Sequence, residues 1–200
     1  KAIMITDLYG DCNDYDEVLD LGIPILNDSA QSLLTTYKGK QTLSLGDMSI
    51  LSFSTNKNCP VFGTHGSIST DNEELARILT VMRKNGYANR DVGESINCIG
   101  INAYPSEDKG VQLLCSLEML DKWQARRQEI ADLYKEKLIN VGVAIRPSPE
   151  FSVSNNHKFV ILVANKQDFR DKMFDQGVET QLHYTYNFMK TPVLSNDTAK

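Results

Sequence analysis

Four polar residues stand where they could do chemistry together. Asp28 and Gln31 follow one short apolar stretch of the chain, whereas Ser52 ends a second such stretch and Lys57 follows it. Both stretches predict buried strands, and open α/β sheets bind their ligands at the carboxyl ends of such strands. A carboxylate, an amide, a hydroxyl and an amine are therefore expected at one sheet edge, where they predict a ligand pocket.

Each of these residues also has an ordinary structural explanation. Asp28 alone is best explained as a cap of the next turn, and Lys57 alone as a solvated surface charge. Gln31 could make only a loop hydrogen bond, and backbone groups could satisfy the Ser52 hydroxyl. What favours a site is that the carboxylate and the amine both follow directly on strands.

A parallel sheet is the structure that would position these residues. Residues 3–8 predict a buried strand, residues 13–21 a short helix ended by Gly22, and residues 23–26 a second strand. Strand, helix and strand in so short a stretch are typical of a βαβ unit, whose strands run parallel. The rest of the chain predicts, in order, a loop or edge hairpin (33–45), a strand (48–53), an irregular loop (54–66), a short strand (67–70), a helix capped by Asp71 in a capping box with Glu74 and ended by Gly86, a loop (85–106), a long helix (107–140), a turn (141–149), a strand (158–163), a helix (166–176) and an extended segment (178–183).

The composition narrows the function classes. Apolar residues make up 41% and charged residues 24% of the chain, which are globular values. A net charge of −5 without a basic block argues against nucleic-acid binding. No apolar run is long enough to cross a bilayer. The histidines (His65, His157, His183) are too dispersed for a metal signature, and the cysteines (Cys12, Cys59, Cys98, Cys115) form no CxxC pair, so we expect no metal and a reducing cytoplasm.

The beginning of the chain carries a separate expectation. The sequence opens on Lys1 without an initiator methionine and passes directly into an apolar strand. Natural proteins rarely begin inside a buried strand. We therefore expect that the parent protein has further sequence before this point.

Several short motifs stand in a specific order along the chain. They are Asn-Asp-Ser-Ala-Gln (27–31), Gly-Asp (46–47), Leu-Ser-Phe-Ser-Thr-Asn-Lys-Asn (51–58), Gly-Thr-His-Gly-Ser-Ile (63–68) and Gly-Ile-Asn (100–102), followed by helix and strand segments at 123–138 and 177–184. This pattern resembles the DegT/DnrJ/EryC1/StrS family of pyridoxal-phosphate-dependent sugar aminotransferases. The resemblance covers nearly the whole chain, and the Asp-x-x-Gln and Ser-Phe-x-x-x-Lys pair is its most specific part.

The resemblance implies a role for each candidate residue. Lys57 would form the Schiff base with the cofactor aldehyde and later carry the proton. Asp28 would pair with the pyridinium nitrogen, and Gln31 would hydrogen-bond near the 3-hydroxyl of the ring. Ser52 would donate to the cofactor phosphate. Asn102 would reach the phosphate in the site of the neighbouring subunit of a homodimer.

The resemblance also implies a fold and a domain organisation. The fold class is α/β, with part of an aspartate-aminotransferase-type (fold type I) large domain and its mainly parallel sheet over residues 1–106. A linking helix would follow over 107–140, and part of a small α+β C-terminal domain over 141–200. His157 is expected to begin a strand of that small domain and His183 to pack within it.

The implied activity is transfer of an amino group. The donor would be an amino acid, by family habit glutamate, and the acceptor a nucleotide-linked keto sugar used for cell-surface polysaccharide or secondary-metabolite synthesis. The partners are then these substrates and a second subunit, with no nucleic acid and no membrane. The alternative is a non-catalytic or degenerate fragment of the fold that serves as an interaction subunit.

Overall fold

The computed structural model describes residues 1–88 and 98–185 of the chain. Its strands are short, and its helices differ widely in length. In chain order the elements are β1 (Ile3–Thr6), α1 (Asp16–Leu19), β2 (Ile25–Asp28), β3 (Thr36–Tyr37), β4 (Lys40–Gln41), β5 (Met48–Ser52), β6 (Gly66–Ser69), α2 (Glu73–Met82), α3 (Glu107–Leu138), β7 (Ala144–Ile145), β8 (Ser152–Val153), β9 (Ile161–Leu162) and α4 (Lys166–Asp175).

A mainly parallel four-stranded sheet joins β1, β2, β5 and β6 in that order. β1 pairs parallel with β2, with Ile3 opposite Ile25, and β2 pairs parallel with β5. β6 closes the sheet as an antiparallel edge strand. The predicted βαβ unit and mainly parallel sheet are therefore confirmed. The carboxyl ends of the parallel strands, where Asp28 and Ser52 stand, meet at one edge of the sheet.

A first apolar cluster packs against this sheet. It joins the buried side chains of Ile5, Ile25 and Leu45 to the rings of Tyr15 and Tyr37. The two rings meet edge to face with their centroids 5.3 Å apart, a geometry that aromatic quadrupoles favour. Each fully buried side chain of this size stabilises the fold by about 1.5–3 kcal/mol.

A second apolar cluster fastens the long helix to the loop after β5. Leu120 of α3 packs against the buried side chains of Phe53, Cys59 and Val61. The Ser116 hydroxyl of the same helix donates a hydrogen bond to the carbonyl oxygen of Pro60. This loop carries no regular secondary structure, so its shape depends on these contacts.

The chain after the long helix returns to its first part. β8 pairs antiparallel with β3, which also pairs with β4 in a hairpin, so that these strands form a three-stranded sheet. Of the loop or edge hairpin predicted for 33–45, the structure shows the hairpin, and the pairing with β8 brings residues 152–157 beside the loops that follow β1 and β2. The division at 106 and 140 into three parts stays a prediction.

Several predicted boundaries are corrected. The cap of α2 is Asn72, whose side chain accepts a hydrogen bond from Leu75 N, so the predicted capping box of Asp71 with Glu74 does not form. Glu74 binds Arg77 instead.

His157 begins no strand, because its amide N–H binds the Asn155 side chain and the next amide binds Tyr9 O. These two N–H groups therefore cannot donate to a neighbouring strand. Within residues 158–163 only β9 forms, and it pairs with β7.

Other predictions concern the late part of the chain and the loop before α3. No strand forms over the predicted extended segment 178–183. Part of the predicted loop 85–106 lies outside the described residues. No helix in residues 1–88 and 98–185 combines the length and apolar character needed to span a bilayer.

Candidate functional site

The loop after β5 holds Lys57 at a fixed place. Lys57 N donates to Ser54 O at 2.9 Å, which makes a turn directly after the strand. Phe53 N donates to His65 O and Val61 N donates to Phe53 O, both at 2.8 Å, so the loop folds back on its own start. The Lys57 side chain is half-buried. A backbone tied in this way positions the amine without a regular element.

Asp28 and Gln31 stand at the end of β2, and both make the ordinary contacts expected of loop residues. Asp28 Oδ1 accepts a hydrogen bond from Ala30 N at 3.1 Å, an Asx-type turn. Gln31 Oε1 accepts one from Tyr9 N at 2.8 Å. These contacts fix the directions of both side chains, and they leave the second carboxylate oxygen and the amide NH₂ group for other partners.

A cavity brings three of the predicted residues together. It opens to solvent. Its lining comprises Gln31, Ser52 and Lys57, together with Ala30, Leu33, Asn58, Cys59, Asn155 and His157. The Ser52 hydroxyl lies 3.0 Å from the Ser54 hydroxyl in a hydrogen bond in which either oxygen can donate. An amine, an amide and a hydroxyl thus converge on one small space.

Asp28 lies close enough for its charge to act on Lys57. Burial lowers the pKa of the Lys57 amine below its ordinary value, and the Asp28 carboxylate acts in the opposite direction. The ammonium group of Lys158 lowers the same pKa further. The predicted carboxylate and amine therefore share one electrostatic neighbourhood, and more of the amine is neutral near pH 7 than in an exposed lysine.

A buried histidine and two asparagines belong to this cavity, although no local sequence pattern indicates them. His157 Nδ1 lies 2.8 Å from Asn58 Oδ1, and Asn58 Nδ2 donates to Asn155 O at 3.2 Å. Because the Asn58 amide donates through Nδ2, its oxygen is the acceptor, and Nδ1 of His157 carries the proton. The partners are far apart in the chain, so only the fold reveals the cluster.

The His157 ring is held neutral. Burial is the largest cause that lowers its pKa, to about 3, and the positive charges of Lys158, Lys57, Arg127 and His183 act in the same direction. The side chain is 5% exposed. A neutral ring with a proton on Nδ1 leaves Nε2 with its lone pair.

Asn102 stands apart from the other predicted residues. It is exposed and forms an isolated bridge with Lys84 at the end of α2. Gly100 allows this segment to approach the end of α2 closely, because a Cβ atom there would lie 2.2 Å from Gly86 N. Asn102 does not line the cavity, so the structure does not bring it to Lys57 within the chain.

The structure corrects the surroundings expected for His183. Its ring lies against the ring of Tyr9, with centroids 6.1 Å apart, and Tyr9 Oη donates to His183 O at 3.4 Å. His183 therefore packs against the loop after β1 and not solely within the late part of the chain.

Among residues 1–88 and 98–185, His, Cys, Asp and Glu form no group of three or more that could hold a metal ion.

The site thus consists of an amine and a carboxylate at the carboxyl edge of a mainly parallel α/β sheet, and comparison with known sequences defines the family. The model of the DegT/DnrJ/EryC1/StrS aminotransferase family matches residues 1–200, and the chain belongs to this family. The predicted family and the predicted partial fold type I architecture are confirmed.

Individual relatives agree with this assignment. The UDP-2-acetamido-2-deoxy-3-oxo-D-glucuronate aminotransferase of Pseudomonas aeruginosa is 29% identical, over 100% of this chain and 56% of that protein. The dTDP-3-amino-3,6-dideoxy-alpha-D-galactopyranose transaminase of Aneurinibacillus thermoaerophilus is 31% identical, over 92% and 51%. The solved structure of S. venezuelae DesV superposes with a TM-score of 0.89 at 26% identity, covering 97% of this chain and 53% of that one. The chain thus spans about half the length of the relatives it matches.

The donor set of the cavity fits the cofactor that the resemblance implies. Pyridoxal phosphate needs an amine for its aldehyde, a carboxylate for its ring nitrogen, and donors for its ring oxygen and phosphate. Lys57, Asp28, Gln31 and Ser52 are of these types and stand at one sheet edge, with Lys57, Gln31 and Ser52 around one cavity. The residues present therefore fit the group.

Proposed function

We propose that the complete protein is a pyridoxal-phosphate-dependent aminotransferase that moves an amino group from an amino acid to a nucleotide-linked keto sugar. The proposal rests on the half-buried Lys57 amine, which lines one cavity with Gln31 and Ser52 and whose pKa is raised by the charge of Asp28. The relatives named above support the acceptor class, since their names describe amino transfer on UDP- and dTDP-linked sugars.

Lys57 supplies the nucleophile in this proposal. Burial lowers the pKa of its amine, which increases the neutral, reactive fraction at neutral pH. Lys57 would hold the cofactor through its aldehyde, and its free amine would accept and return a proton at the substrate carbon. The fixed turn at Ser54 keeps it within reach for both tasks.

Asp28 would hold a proton on the ring nitrogen of the cofactor. Pyridoxal phosphate would supply an electron sink for the bonding electrons left on the substrate carbon after its proton is removed, and that sink is strongest when the ring nitrogen is protonated. The Asx-type turn with Ala30 fixes one carboxylate oxygen of Asp28, so the other is available for the ring.

Gln31 and Ser52 orient the cofactor. Because Gln31 Oε1 already accepts from Tyr9 N, the amide NH₂ is the group that would donate to the 3-hydroxyl oxygen. The Ser52 hydroxyl would donate to the phosphate while it accepts from the Ser54 hydroxyl. Both side chains are neutral donors, so they would bind anionic oxygens of the cofactor without adding a positive charge near Lys57.

Asn102 acts across a subunit interface in this proposal. It is exposed at the end of α2 and lies outside the cavity lining. We therefore propose a homodimer with shared active sites, in which Asn102 reaches the phosphate of its partner's site. Glutamate is the proposed amino donor, and the product serves polysaccharide or secondary-metabolite sugar synthesis.

A substrate panel tests the function. The complete protein is incubated with pyridoxal phosphate, glutamate and a set of UDP-, dTDP- and GDP-linked keto sugars, and amino sugars are detected by mass spectrometry. We expect turnover of at least one member, a loss of about 10²–10⁴-fold in Lys57→Ala, and normal turnover in Lys40→Ala, which changes an exposed lysine of β4. A complete protein that binds no pyridoxal phosphate and aminates no sugar would favour the non-catalytic alternative.

A further inference from the structure

A buried polar network connects the segment after the long helix to the residue next to Lys57. Asn155 lies at its centre and is 1% exposed. Its side-chain NH₂ donates to Gln31 O at 2.9 Å and to Leu33 O at 2.8 Å, and its side-chain oxygen accepts from His157 N at 2.8 Å. These bonds fix the His157 backbone against the loop after β2.

The loop after β1 completes this support. Asn155 N donates to Gly10 O at 3.1 Å. Gly10 has a φ of +105°, and a Cβ atom at this position would lie 2.3 Å from Asn155 Oδ1 and 2.7 Å from His157 N. The absence of a side chain at Gly10 therefore leaves the space that this network occupies.

From this support His157 reaches the Lys57 loop through one hydrogen bond. Its Nδ1–H donates to Asn58 Oδ1 at 2.8 Å, and Asn58 is 6% exposed. Loss of this donor would leave a buried amide oxygen unpaired, which disfavours the native position of the loop, so we expect the loop to shift. Lys57 is the adjacent residue and would move with it.

We propose that His157 is a positioning residue that, through Asn58, sets how deeply the Lys57 amine sits in the cavity. The inference rests on the proposed function for its catalytic meaning, because the amine it positions is the one proposed to bond to the cofactor. The effect of His157 on the position of the amine does not depend on bound cofactor.

The neutrality of His157 makes the proposal sharply testable. Replacing a neutral ring by another neutral side chain adds or removes no charge near Lys57. A change in the Lys57 pKa then reports a movement of the amine relative to its surroundings, of which burial has the largest effect on that pKa. If the Asn58 contact is lost and the loop relaxes toward solvent, the pKa of Lys57 rises toward the ordinary lysine value.

The experiment uses variants that keep or remove the Nδ1 donor. Asparagine places its NH₂ group near the position of Nδ1, glutamine places its amide near the position of Nε2, and leucine supplies no donor. The pKa of Lys57 is measured by competitive acetylation with acetic anhydride and mass spectrometry on the complete, cofactor-free protein. His65→Leu is the matched control, since His65 belongs to the same loop and lies outside the cavity lining.

We expect His157→Leu and His157→Gln to raise the Lys57 pKa, while His157→Asn and His65→Leu leave it at the native value. A rise of about one pH unit would slow acetylation near neutral pH about tenfold. If His157→Leu does not fold, the comparison of His157→Asn with His157→Gln decides. An unchanged Lys57 pKa in folded His157→Leu, or equal effects of Asn and Gln, would overturn the proposal.

Failure of this inference is distinguishable from failure of the proposed function. If the protein transaminates normally but the Lys57 pKa is the same in all variants of residue 157, only the positioning role is contradicted. A protein without transaminase activity whose Lys57 pKa follows the Nδ1 donor contradicts the function and supports the positioning role.

Discussion

The carboxylate of Asp28 opposes the effect of burial on the amine of Lys57. Burial lowers the pKa of that amine, and the charge of Asp28 raises it. Asp28 ends β2 and Lys57 lies in the loop after β5, and because β2 and β5 are neighbours in the sheet, their pairing brings these positions together.

Removal of the Asp28 charge should therefore lower the Lys57 pKa further. In Asp28→Asn we expect Lys57 acetylation near neutral pH to become roughly threefold faster or more, because the stabilising opposite charge is gone. Asp20→Asn, which removes an exposed carboxylate after α1, is the control and should leave the rate unchanged. A slower or unchanged rate in Asp28→Asn would show that the carboxylate does not act on the amine.

Burial of neutral His157 should make stability depend on pH. The unfolded ring takes up a proton near pH 6.5, whereas the folded ring, with Lys158, Lys57, Arg127 and His183 nearby, has a pKa of about 3. The unfolded state thus binds more protons between these values, and the free energy of unfolding falls as pH decreases below about 6.5. The slope is about 1.4 kcal/mol per pH unit.

Urea unfolding of the complete protein measures this dependence. Between about pH 7.5 and about pH 5 we expect wild type to lose about 2 kcal/mol more than His157→Asn, which cannot titrate. His65→Asn, the control, should behave like wild type. Equal losses in wild type and His157→Asn would mean that the folded ring titrates as it does in the unfolded chain.

Substitution of Gly10 should destabilise the fold and disturb the Asn155 network. Gly10→Ala combines a positive φ with a Cβ atom 2.3 Å from Asn155 Oδ1, so we expect a loss of about 2–4 kcal/mol of unfolding free energy. Gly39→Ala is the matched control, because Gly39 also has a positive φ but no atom within 4 Å of the added Cβ. The two variants would lose similar amounts if only backbone strain mattered.

The buried carboxylate of Asp7 should contribute strongly to stability. It accepts hydrogen bonds from Ser32 Oγ at 2.9 Å, Tyr15 Oη at 3.0 Å, and the backbone and side-chain nitrogens of Asn13 at 3.1 Å. Asp7→Asn turns an NH₂ group toward these donors, so we expect a loss of about 2–4 kcal/mol in urea unfolding. Asp20→Asn should change it by less than about 0.5 kcal/mol. An Asp7→Asn protein as stable as the control would refute this role.

The residues that sequence analysis found are those whose position follows from local pattern. Asp28 ends one short apolar strand and Lys57 follows another, and the short helix between β1 and β2 predicts that these two strands run parallel. The long helix was predictable for the same reason, since its apolar spacing marks it locally, whereas the local pattern over 33–45 fitted a loop as well as an edge hairpin.

His157 and its partners could not be predicted in this way. The bond from His157 to Asn58 and the bonds from Asn155 to Gln31 and Leu33 join segments that are far apart in the chain. The apolar run after His157 indicates a strand locally, but tertiary hydrogen bonds divert its first amides. The cap of α2 shows the smaller error, since Asp71 and Asn72 are both good caps and only the backbone geometry selects Asn72.

The most direct test of the central claim is the identity of the lysine that bonds to the cofactor. The complete protein is incubated with pyridoxal phosphate, reduced with sodium borohydride, digested and mapped by mass spectrometry. We predict a phosphopyridoxyl label on Lys57 and its loss in Lys57→Arg. A label confined to a different lysine, or no label on a protein that still transaminates, would contradict the account.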